Sequence, residues 1–275
     1  MIFFLTTHSL WVSGAIIVGL GTVLSMLGPV LVRRYADLNR LRANNEIAGF
    51  KFATIGVVYA VLLAFSVVVV WGKYSETEAN VVQEAGAAED IYRLSQGLSD
   101  KARVDVASSL RNYLKAAIND DWPSMDRGAG ASARRGTQRA LDAVYATVVS
   151  SSGQGDNTVI SEMLRQLDRI TQSRRARLVA SDGAVPGPLW LVLLGGAAIT
   201  IGFTFFLGTE NLGAQVLMTA LLALLIFSEL LIIVAIDRPF SGAVKLGPNA
   251  LAAVLADVEF KSSDSGSPRI ESERK

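Results

Sequence analysis

Hydrophobic positions along this chain fall into four long runs, separated by polar stretches of very unequal length. The central run is Phe52–Trp71, twenty residues without a charge. As a helix it rises about 30 Å, the thickness of a bilayer's hydrocarbon core. Asn44, Asn45, Glu46 and Lys51 precede it, and Trp71, Lys73 and Tyr74 follow, groups suited to the two interfaces. The other runs predict spans over Leu10–Val32, Leu189–Leu207 and Leu212–Ile236, with Gly208–Asn211 as a tight turn. The pattern therefore predicts an all-α membrane protein with four transmembrane helices.

Between the second and third spans the period stays helical but the composition turns polar. Residues Tyr74–Leu98 read as a continuation of the spanning helix, with Ala85, Ala88, Ile91, Tyr92 and Leu94 as the apolar side and Glu76, Glu84 and Glu89 as the wet side. Ser99–Asp100 caps a further helix with Val104, Ala107, Leu110, Tyr113, Leu114 and Ala117 on its apolar face. Asp120-Asp121-Trp122-Pro123 breaks it, since proline cannot continue a helix, and a loop through Gly130 follows. A third helix carries Leu141, Val144, Tyr145 and Val148. The run Ser150–Gly155 turns the chain, and Ile160, Met163, Leu164, Leu167 and Ile170 mark a fourth helix. Four amphipathic helices predict a bundle inserted between the spans. The divisions are residues 1–71, the insert 72–187, the second span pair 188–242, and 243–275, a short amphipathic segment (Ala250, Leu251, Val254, Leu255) with a polar tail.

Composition narrows the chemistry. Half the residues are apolar (51%) and 19% charged, with a net charge of +1 that gives no argument for nucleic acid. The chain has no cysteine and one histidine, His8, so thiol chemistry and multi-histidine metal sites are excluded and no metal or cofactor is expected. No zincin, nucleophile-elbow or P-loop motif is present, and an enzyme is not expected. Residues 1–12 lack the basic start of a signal peptide.

Three features carry candidate function. On the second span Phe52, Gly56, Tyr59, Leu63 and Ser66 recur at steps of three and four, a face directed at protein or water and a candidate pore lining. Lys51 and Lys73 stand at its mouths and favour anions. Glu229 is the charged residue inside the fourth span, read either as a pore or relay group or as a packing residue beside Ser228. Asp237–Arg238 is read as an ion pair or as a plain helix end. Arg174, Arg175 and Arg177 are read as a phosphate-facing trio or as a solvated helix end. Two rows of small residues, Gly14, Gly21 and Gly28 on the first span and Gly195, Ala198 and Gly202 on the third, predict close helix approach and hence a homo-oligomer in the bilayer.

The stretches NEIAGFKFATIGVVYAVLLAFSVVVVW (Asn45–Trp71), Trp122–Pro123, LMTALLALLIF (Leu217–Phe227) and IDRPFSG (Ile236–Gly242) resemble bacterial membrane proteins of the bestrophin-like domain family. Asn45, Glu46, Asp237, Arg238, Pro239 and Phe240 carry that likeness. The resemblance implies a multi-pass protein of the bacterial inner membrane. More distantly the chain resembles the bestrophins, pentameric anion channels lined by their second span, and the expected partners are then lipid, further copies of the chain and permeant ions. The acidic calcium cluster of animal bestrophins has no counterpart, because Ala243–Gly247 holds no carboxylate. The alternative is a non-conducting oligomeric scaffold whose insert binds a partner. The resemblance puts the insert in the cytoplasm, whereas the basic loop Arg33–Lys51 puts it outside.

Overall fold

A computed structural model describes residues 12, 14–127, 131–152, 157–241 and 244–264. His8, the loop through Gly130, residues 153–155 of the predicted turn, Gly242 and the tail beyond 264 lie outside the described residues. Helices dominate: α1 (Ala15–Tyr35), α2 (Leu38–Ala43), α3 (Asn45–Ser95), α4 (Asp100–Ala116), α5 (Trp122–Asp126), α6 (Ala131–Ser150), α7 (Asn157–Ala180), α8 (Gly187–Thr204), α9 (Leu212–Ile236) and α10 (Asn249–Asp264). Among the described residues α1, α3, α8 and α9 are long and apolar enough to cross a membrane. The chain divides into two compact units, residues 1–74 with 183–245, and 75–182 with 246–275.

In the first unit α1 packs along α9 and touches α8, and the predicted glycine row lines these contacts, Gly14 and Gly21 towards α9 and Gly28 towards the end of α8. A Cβ on Gly21 would sit 2.8 Å from the Phe227 ring, and one on Gly28 would sit 2.3 Å from the Phe205 ring. In lipid such close approach replaces hydrophobic burial as the source of cohesion, through dispersion and shape. The row therefore serves contacts within the chain. The third-span row behaves differently: added Cβ atoms on Gly195 and Gly202 meet nothing, while one on Gly196 would sit 2.5 Å from the Tyr59 ring. Loop closure also follows from sequence. Asn45 donates to the Gly208 carbonyl at 2.6 Å and accepts the Gly208 N–H at 2.9 Å, tying the start of α3 to the α8–α9 turn. At Gly208 a Cβ would lie 2.9 Å from the Arg42 nitrogen, so the turn requires glycine.

The second unit joins the polar half of α3 to α4, α5, α6, α7 and α10. Ser99 caps α4 through the Ala102 N–H, as its sequence predicts. Leu110, Tyr113, Leu114, Leu141, Val144, Val148, Ile160, Met163, Leu167 and Ile170 are buried as expected. Val104 is not; it stands 61% exposed, and Val106 takes the inward position. Pro123 does not break the chain into a loop. A π turn at Ala117–Asp121 widens the helix ahead of it, and the proline falls in the first turn of α5, where its missing N–H has no partner to lose. The short amphipathic segment after the fourth span belongs here too: α10 packs on α4, burying Leu251, Val254 and Val258.

Candidate functional site

The second span is not a separate element but the first half of α3, a helix of 51 residues. At 1.5 Å per residue it is about 76 Å long, far more than a bilayer needs. Its buried positions run at steps of three and four: Tyr59, Leu63, Ser66 and Val70 in the first unit, then Thr77, Val81, Glu84, Ala88, Ile91 and Ser95 in the second. This seam takes Tyr59, Leu63 and Ser66 of the predicted stripe into the chain's own core. Tyr59 is 5% exposed, and its hydroxyl donates to the Leu193 carbonyl of α8 at 2.9 Å. Leu63 sits in the core with Trp190, Ala197 and Leu230, and Ser66 donates back to the Leu62 carbonyl at 2.8 Å. Phe52 stacks on Phe203 with ring centroids 6.1 Å apart. Gly56 is half-buried with open space where a Cβ would be. A phenol and a hydroxyl on an apolar helix did signal a protein-facing side, but the protein they face is the same chain.

The opposite face is the exposed one. Val57, Val61, Ala64 and Val68 are exposed along the apolar half, and Gly72, Ser75, Ala79, Val82 and Gly86 continue the same spacing past the span. Lys51 and Lys73 are both exposed, as is Glu46. Glu229 is half-buried on α9, and the neighbouring Ser228 hydroxyl donates to the Leu224 carbonyl at 2.7 Å.

Asp237 turns out to be more than a helix end. Its Oδ1 accepts the Ala184 and Val185 N–H groups at 3.0 and 2.8 Å, clamping the return turn whose Gly183 has φ +100°. Burial pushes its carboxyl up from the ordinary value, against the pull of those N–H donors and Arg238. Pro239 and Phe240 are buried beside it, and Arg238 is half-buried. Thus Asn45, Asp237, Pro239 and Phe240 are closures of the fold.

Sequence reasoning missed the charged centre of the second unit. Arg177 is fully buried and donates to Glu84 at 2.8 and 3.0 Å and to Asp121 at 3.2 Å, with Trp122 beneath its guanidinium at 4.3 Å. Arg174 donates to Asp121 at 2.9 Å and to Gln138 at 2.8 Å, and Tyr113 donates to Glu84 at 2.7 Å. Two carboxylates and two guanidinium groups make the cluster neutral. Burial works against the Arg177 charge, but Glu84 and Asp121 outweigh it and hold the group protonated. Burial and Glu84 push the Tyr113 hydroxyl up. Glu84 is therefore not on a wet side, and Arg174 and Arg177 are neither phosphate-facing nor solvated. The signal was present in spacing: Arg174 and Arg177 continue the Ile160, Met163, Leu167, Ile170 face, and Glu84 continues Thr77 and Val81. Among the described residues no group of His, Cys, Asp or Glu is placed to hold a metal.

Comparison with known proteins agrees with this architecture. A crystal structure of a point variant of the bacterial bestrophin homologue from Klebsiella pneumoniae is similar at a TM-score of 0.72, with 13% identity over 90% of this chain and 99% of that chain. The same homologue solved by Zn-SAD phasing is similar at 0.70, with 14% identity over 89% and 98%. At such identity the likeness shows the fold. No curated protein matches the sequence. The profile of the bestrophin-like domain matches residues 19–251. On that match the chain belongs to the bestrophin-like family.

Proposed function

We propose that this protein is a homo-oligomeric ion channel of the cell membrane, a pentamer with α3 around the axis. The observation that carries the reading is the exposed face of α3. A helix in lipid needs only an apolar exterior, yet this face changes to mostly small residues (Gly72, Ser75, Ala79 and Gly86, with Val82 among them) where the helix runs on beyond the length of a bilayer. Small side chains at that spacing fit copies of α3 drawn together about an axis. Val57, Val61, Ala64 and Val68 then form stacked apolar rings that gate by dewetting. Membership of the bestrophin-like family supports the same reading.

Charge preference follows from the exposed groups beyond the apolar rings. Between Lys73 and Arg93 the exposed or half-exposed charges are Lys73, Glu76, Glu78, Glu89, Asp90 and Arg93, an acidic excess. Acidic groups along a narrow axis favour cations. This replaces the anion preference drawn from Lys51 and Lys73 alone. Liposome flux and bilayer recording of wild type and Val61→Ser test it. The expected results are a reversal potential on the cation side and a larger open probability for Val61→Ser, with Leu63→Ala acting on stability instead. Silence from both proteins in mass-confirmed oligomers overturns the channel and leaves the scaffold. Anion-side reversal overturns the charge argument.

A further inference from the structure

We infer that the cleft formed by α3, α4 and α10 in the second unit binds a phosphate-bearing anion of two or more charges. The cleft encloses about 870 Å³, and Arg93, Arg103, Arg111 and Lys261 line it against one carboxylate, Glu259. That is within the range of small-molecule sites, roughly 300–1,000 Å³. The carboxylate is engaged elsewhere: Glu259 is bridged by Lys115 at 2.7 Å, and the hydrogen bond from Lys115, with the charge of Arg111 behind it, holds its carboxyl below the ordinary range.

The cations come from three helices yet point into one space. Arg93 pairs with Glu89 one turn back, and Arg103 with Asp100 at 2.9 Å, where Asp100 is 92% exposed. Exposed pairs within one helix are weak in water, and both acids stand outside the cleft lining, so a multivalent anion displaces them at little cost. Lys261 pairs with Asp257 on its own helix and lies over the Tyr92 ring at 5.9 Å. Guanidinium forks match phosphate oxygens in pairs, which a single carboxylate cannot exploit across three arginines. The apolar wall is Val104, exposed where an α4 residue on a plain wet face would be polar. The site therefore suits an anion joined to an apolar or planar part. Phosphate of this kind comes either from a soluble organic phosphate or from an anionic lipid headgroup.

The test uses the full-length protein in neutral detergent, titrated with inorganic pyrophosphate by calorimetry at low salt. Saturable binding is expected, weakening as salt rises. Arg103→Gln combined with Arg111→Gln should weaken it about tenfold or more, the loss of one strong charged hydrogen bond. Lys261→Ala, on an exposed side chain, gives the same direction if the arginine variant does not fold. Arg139→Gln, an exposed cation of α6 outside the cleft, should change nothing. Repeating the titration in phosphatidylcholine nanodiscs with and without phosphatidic acid separates the sources: competition assigns the lipid headgroup, and unchanged binding assigns the soluble phosphate. No saturable binding of pyrophosphate and none of phosphatidic acid, or equal weakening by Arg139→Gln, overturns the site. Conduction enters none of these readouts, so their failure leaves the channel proposal standing.

Discussion

Replacing Arg177 with methionine removes the centre of the buried charge cluster while keeping most of the side-chain volume. Glu84 then loses donors at 2.8 and 3.0 Å, and Asp121 loses one at 3.2 Å. Tyr113 still donates to Glu84, and Arg174 still holds Asp121, but the interior is left with one uncompensated negative charge. Breaking a buried pair in this way costs about 3–5 kcal/mol. For a chain of this size that is roughly a 6–20 °C fall in the melting temperature. The assay is thermal unfolding of the purified protein in mild detergent, run for Arg177→Met, Glu84→Gln and the double variant. Neutrality is restored in the double variant, which should recover part of the loss, with a coupling of about 1–3 kcal/mol. A fall of under 2 °C for Arg177→Met, or strict additivity in the double variant, refutes the argument.

Two further outcomes follow from local geometry. Gly28→Ala drives a methyl group into the Phe205 ring, which would lie 2.3 Å away, and should cost about 1–3 kcal/mol in the same melt, whereas Gly195→Ala, facing open space, should be near neutral. Asp237 has a carboxyl raised by burial, so its contribution to stability is fully present below the unfolded value and falls as pH rises through the folded one. Melts across pH 4–8 should therefore show Asp237→Asn, which keeps the acceptor for Ala184 and Val185, gaining on wild type as pH rises. A difference that stays flat with pH counts against a raised carboxyl.

The fold was largely legible because hydrophobic runs and helical period report directly on burial. The fourth span, Leu212–Ile236, has the boundaries its sequence predicts. The stripe Tyr59, Leu63, Ser66 was legible as a protein-facing side, but sequence carries no information on which protein it faces. The charged cluster was hidden for a different reason. Glu84 and Arg177 sit at core positions of their helices, and reading acids and bases as wet by default overrode the spacing. Asn45 and Asp237 were visible as motif residues, yet their work lies in turns 163 and 53 residues away in sequence, at Gly208 and Ala184. Only the folded chain brings those ends together.

The π turn at Ala117–Asp121 has a consequence for how this chain tolerates change in length. Such a turn holds one residue more than the α-helix would, and the helical faces on either side keep their phase. A deletion inside it would let the helix close into regular hydrogen bonding without swinging Tyr113 or Leu110 off the core. What it would remove is the widened turn that delivers Asp121 to Arg174 and Arg177 in the core. Relatives one residue shorter at this point should therefore keep the helix and its packing, and should balance the second arginine by some other acid or do without it.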